Sequence, residues 1–145
     1  MALVDVDDLK IHFFTRNGPA KAVDGVSFRA EQNETLGLIG ESGCGKTTIA
    51  LSFIRIIKPP GRIVSGRILF DGSDIISMGK GEIRALRGKD IGIVRQEAQN
   101  ALNPVMTIGK QINEMILQHE NVTKDEAWAR ARNQLNLVGI SDRRI

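Results

Sequence analysis

The stretch that most restricts the fold of this 145-residue chain is Gly40-Glu41-Ser42-Gly43-Cys44-Gly45-Lys46-Thr47-Thr48. It fits the spacing G-x-x-x-x-G-K-[ST]. Glycines at those positions let the backbone take positive φ and curl, so that successive N–H groups point at one spot. A helix starting there adds the positive end of its dipole, and Lys46 adds a point charge on a long stem. Together these groups make a cradle for a phosphate chain, and the Thr47 hydroxyl can ligate Mg²⁺. The flanks agree with this reading. Leu36-Gly37-Leu38-Ile39 is a short apolar run with β character, and Thr48 to Ile57 reads as an apolar helix. Strand, loop and helix in that order predict an α/β fold with a P-loop core.

The rest of the composition narrows the class. Apolar residues make up 41% and charged residues 26%, as in a soluble globular domain, and the length suits one domain. The lone cysteine, Cys44, rules out an internal disulfide and fits a reducing compartment. No apolar run is long enough to cross a bilayer, and the N-terminus lacks a signal-peptide pattern. A net charge of +3, scattered basic residues and 4% aromatics give no footprint for nucleic acid, and none is expected as a partner.

Taken in order, residues 4–14 carry Leu9, Ile11 and Phe13 at period two, the pattern of a half-buried strand. A turn at 15–19 leads to a second strand with Val23, Val26 and Phe28, in which Asp24-Gly25 suggests a bulge. These strands predict an antiparallel layer ahead of the phosphate site. Lys58-Pro59-Pro60-Gly61 should end the helix after the loop. Residues 63–70 read as strand closed by the turn Asp71-Gly72, 77–87 as a short basic helix, and 90–95 as a strand delivering Gln96. From 107 to 120, Ile108, Ile112, Met115 and Ile116 share one helical face. Thr123-Lys124-Asp125-Glu126 is a capping box opening a helix with Trp128, Ala131, Leu135 and Val138 on its apolar side, stopped by Gly139. The expected organisation is a nucleotide-binding core over 1–96 and the start of a helical subdomain over 97–145, hinged near 97–106. His12 and His119 read as surface residues, and Asp71, Asp74 and Asp90 as turn and cap residues.

Three stretches select among P-loop families. They are Ala22-Val23-Asp24-Gly25-Val26-Ser27-Phe28, the loop wording itself, and Arg95-Gln96-Glu97-Ala98-Gln99-Asn100-Ala101-Leu102-Asn103-Pro104. Together they resemble the ATP-binding subunit of an ABC transporter. Ala101 to Pro104 and Thr107-Ile108-Gly109 are similar to the oligopeptide, dipeptide and nickel importer branch. The resemblance implies ATP and Mg²⁺ as cofactors, with residues 40–48 around the phosphates. It makes Lys46 and Gln96 the catalytic groups within this stretch, and Thr47 and Gln96 the metal ligands. It implies transmembrane permease subunits and a second ATP-binding subunit as partners, at the cytoplasmic face of the cell membrane. The family stacks adenine on an aromatic residue before the phosphate strand, most often tyrosine. This chain has no Tyr. Phe14, on the strand face opposite Phe13, is the candidate, with Arg16 as the alternative. Ala98 and Arg95 depart from the proline and the aromatic residue often found at their positions.

No apolar run followed by Asp-Glu occurs after Gln96, and Leu-Ser-Gly-Gly-Gln and the switch histidine are also missing. The expectation is therefore the N-terminal part of a longer subunit, binding ATP but not turning it over alone. A non-transport ABC ATPase is the alternative; a small-molecule kinase would leave the strands before the loop and the Gln96 stretch unexplained. A further expectation concerns Cys44. A thiol inside the phosphate loop at a helix N-terminus is placed to be reactive, against the reading of a small filler residue.

Overall fold

The computed structural model describes residues 2–96 and 101–140. The chain divides into two compact units, Met1–Arg84 and Ala85–Ile145.

The first unit is built on an antiparallel sheet. β1 (Val4–Thr15) and β2 (Gly18–Ala30) form a long hairpin, β3 (Gly61–Phe70) pairs with the other edge of β1, and the two-residue β4 (Ser73–Asp74) follows β3. The sheet order is β2-β1-β3-β4. Alternation decides which face is buried: Val6, Leu9, Ile11 and Val23 are buried, joined by Ile68 from β3 and Ile75 just past β4. Each such side chain contributes about 1.5–3 kcal/mol when fully buried. The expected bulge at Asp24-Gly25 is present. Leu9 pairs with Val26 and Lys10 with Asp24, leaving Gly25 unpaired at φ +83°. A second irregularity, between Val6 and Leu9, lies at Asp8 (φ +43°), whose N–H donates to Ser27 Oγ at 2.9 Å. The turn Asp71-Gly72 closes β3 onto β4 as expected.

α1 (Lys46–Phe53) follows the loop at 40–45 and stops four residues short of Ile57. The reason is a Schellman motif, not the proline pair. Arg55 N–H donates to Ser52 O (3.1 Å) and Ile56 N–H to Leu51 O (3.2 Å), with Arg55 at φ +49°. The Arg55 guanidinium reaches on to the carbonyl oxygens of Met78 (2.5 Å) and Ile75 (3.4 Å). These bonds stabilise a left-handed conformation that a side-chain-bearing residue rarely adopts.

Two expected strands do not form. Residues 36–39 carry no strand, and Ile39 is 98% exposed. Residues 90–95 contribute only an isolated bridge, Arg87 to Ile91, and Val94 is 98% exposed. Buried apolar strands of this type belong to parallel sheets, where each needs laddered neighbours and covering helices. Among the described residues neither segment has such neighbours.

The second unit holds α3 (Ile108–His119) and α4 (Lys124–Leu137), with α2 (Lys80–Leu86) spanning the divide. Thr107 caps α3, accepting from Lys110 N–H at 3.3 Å. Thr123 and Glu126 form the expected capping box, and Gly139 at φ +79° closes α4 with its own Schellman pair. The contact face of α3 differs from the expected one. Gly109 and Asn113 are buried and Ile112 and Ile116 half-buried, whereas Ile108 and Met115 are exposed. On α4, Ala127, Ala131 and Leu135 are buried. The more buried side of α3 therefore runs through Gly109, Ile112, Asn113 and Ile116. Val138, the C-cap of α4, is 72% exposed, as is Leu137 before it, so the buried side of α4 ends at Leu135.

The expected hinge at 97–106 lies partly outside the described residues, at 97–100, as do Ala98 and residues 141–145. Its described part is tied down. Gln111 Oε1 accepts from Asn103 N–H (3.0 Å), and its Nε2 donates to the carbonyl oxygens of Asn103 and Met106 (3.1 Å each).

Candidate functional site

Residues 40–45 form a tight loop closed by Lys46, the first residue of α1. Lys46 Nζ donates to the carbonyl oxygens of Gly40 (2.8 Å) and Glu41 (2.6 Å) and approaches Cys44 Sγ at 3.3 Å. An ammonium has three donors and no acceptor, so this group holds the loop curled around one positive centre. The turn at Ser42-Gly43 reverses the chain, with Gly43 at φ +83° and Cys44 N–H reaching Glu41 O at 3.4 Å.

Gly45 joins loop to helix. It is buried, sits at the N-cap of α1 in the left-handed conformation (φ +97°), and its carbonyl accepts from Ile49 N–H at 2.9 Å. A Cβ there would stand 2.3 Å from the Ala22 carbonyl oxygen of β2. Both the backbone angle and the contact therefore demand glycine. A Cβ on Gly40 would meet Cys44 Sγ at 2.7 Å, so a side chain at that position would require the exposed Cys44 thiol to shift.

The start of α1 suits an anion. Its N-cap makes no side-chain hydrogen bond, and its first turn has no acidic residue. The first N–H groups of a helix have no intrahelical partners, and the dipole favours negative charge there. Gly45 set against β2, the Lys46 ammonium and uncapped helix amides form a donor set that fits a phosphate chain. Gly40, Glu41, Ser42, Gly43, Cys44 and Thr47 are exposed, and Lys46 and Thr48 are half-buried. Cys44 is a free thiol.

The structure brings β2 to the loop through Ala22, a contact no local pattern announces, because 23 positions separate Ala22 from Gly45. Val23 Cγ2 lies 3.4 Å from the same Cβ position, and Phe28 of β2 meets Phe53 of α1 with ring centroids 6.3 Å apart. Phe14 is 42% exposed on β1, with the Arg62 guanidinium 4.5 Å over its ring. That arginine is a neighbour the sequence did not indicate. Arg16 lies exposed in the β1–β2 turn. His12 is not the expected surface residue: its side chain is 13% exposed and its Nε2 lies 3.9 Å from Asp24 Oδ1. Asp74 acts as a turn residue as expected, its Oδ1 accepting from Ile76 N–H at 2.9 Å. Gln96 is exposed in the second unit and does not sit at the end of a formed strand, contrary to expectation.

A family model described as ABC transporter matches residues 23–145. The oligopeptide transport ATP-binding protein OppD of Bacillus subtilis is 42% identical over 139 residues, covering 95% of this chain and 39% of the relative. The dipeptide transport ATP-binding protein DppD of Haemophilus influenzae is 39% identical over 142 residues, covering 98% of this chain and 43% of the relative. The chain thus spans about two fifths of the length of the curated relatives it matches. Among solved structures, the ATP-binding cassette MJ0796, in a dimeric post-hydrolysis state bound to ADP and Pi, superposes with a TM-score of 0.80 at 20% identity. That match covers 97% of this chain and 59% of the other. The cbiO1 protein from Clostridium perfringens, part of the ABC transporter complex cbiONQ, gives 0.66 at 27% identity, covering 96% and 51%. The fold is accordingly that of part of an ABC ATPase cassette, an α/β architecture with an antiparallel β layer. With loop, β layer and family match in agreement over most of its length, the chain belongs to the ABC transporter family.

Proposed function

We propose that this chain provides the ATP-binding region of a subunit that powers ABC-type import of peptides or similar small solutes. The observation that carries the reading is the loop closed around Lys46 and backed at Gly45 by the Ala22 carbonyl. The similarity to oligopeptide and dipeptide transport ATP-binding proteins supports the cargo class.

In this reading the amides of residues 40–48 and the Lys46 ammonium hold the β- and γ-phosphates. Thr47 and Gln96 would hold Mg²⁺, which when bound neutralises charge between the phosphate oxygens. Lys46 and Gln96 are the groups of this stretch that serve hydrolysis in the complete subunit; the 145 residues alone bind without turnover. Phe14 is proposed to stack adenine, with Arg16 as the alternative. Residues 97–145 form the beginning of the helical subdomain that meets the transmembrane permease, and a second ATP-binding subunit completes the pair. The place of action is the cytoplasmic face of the membrane, reached through those partners: among the described residues no helix is long and apolar enough to cross a bilayer.

The test is equilibrium binding of labelled ATP with Mg²⁺, followed by a single-turnover assay on the same sample. Saturable binding without phosphate release is expected. Absence of binding to folded protein would overturn the assignment, and phosphate release would overturn the statement about turnover.

A further inference from the structure

We draw no further inference here: the strongest candidate, the exposed apolar segment 36–39 leading into the phosphate loop, is an unpartnered face and nothing in the structure shows what covers it.

Discussion

The antiparallel sheet and the segment leading into the phosphate loop are both apolar, yet only the sheet is packed. In β1, Leu9 and Ile11 are fully buried, whereas Ile39, of the same chemical kind, is 98% exposed. The difference lies in where each segment finds its partners. β1 meets β2 through a two-residue turn, and β3 returns to its other edge. The β1–β2 hairpin closes through that short turn and gives β3 a ready edge when it returns after residues 31–60. A parallel strand needs a neighbour delivered by a crossover of a dozen or more residues, and among the described residues none pairs with 36–39. The loop itself falls between these cases. It has no ladder, but it is fixed by Lys46 from within and by Ala22 from the sheet. The loop is thus supported from β2, a strand of the packed sheet.

The largest effect should come from placing one substitution in both regions. Ile11→Ala removes a fully buried side chain and should cost about 3 kcal/mol, whereas Ile39→Ala should change stability by less than about 0.5 kcal/mol. Urea unfolding of both variants measures this. Equal costs would show that residues 36–39 are packed and that the contrast is false.

Gly45→Ala tests whether the sheet supports the loop. A left-handed backbone costs a Cβ-bearing residue about 1–2 kcal/mol, and the overlap with the Ala22 carbonyl adds to it. A loss of about 2 kcal/mol together with weakened nucleotide binding is expected from thermal unfolding and ATP titration. Unchanged affinity would separate β2 from the site.

Thr123→Ala should remove about 1 kcal/mol from the helical unit by deleting the N-cap, read by amide exchange in α4. The same cap predicts a pH dependence. Hydrogen bonds from the Thr123 backbone and hydroxyl hold the Glu126 carboxyl below its ordinary range. Its folded-state pKa is therefore the lower one, so the contribution is present above the unfolded value and fades as pH falls through the folded one. Loosening of α4 on acidification should be weaker in Thr123→Ala; identical acid profiles would contradict this.

The smallest effect is chemical. Maleimide should label exposed Cys44, and MgATP should slow the reaction. Equal rates with and without nucleotide would detach the thiol from the phosphate site.

Much of this arrangement was legible in the residues themselves. Period-two alternation placed β1, the Asp24-Gly25 pair placed the bulge, and Thr123 and Glu126 placed the start of α4. The two Schellman motifs mark the boundary of such reading. At α4 the left-handed residue is Gly139 and could be anticipated; at α1 it is Arg55, held by the carbonyls of Met78 and Ile75, which lie far along the chain. Local pattern therefore carried α1 past its true end. Residues 36–39 and 90–95 show the same limit: their β character was visible, but strand formation depends on partners that local sequence does not supply. At the site, the loop spacing was legible, while the Ala22 contact and the cover of Phe14 by Arg62 were not, because both join distant positions.

The most direct test is the affinity of the chain for MgATP with and without the Lys46 ammonium. Removing a charged hydrogen-bond donor should cost about 2 kcal/mol, or about thirtyfold in Kd, for Lys46→Ala, with the sheet still unfolding cooperatively. Undiminished affinity in a folded Lys46→Ala variant would contradict the central claim that residues 40–48 grip the nucleotide's phosphates.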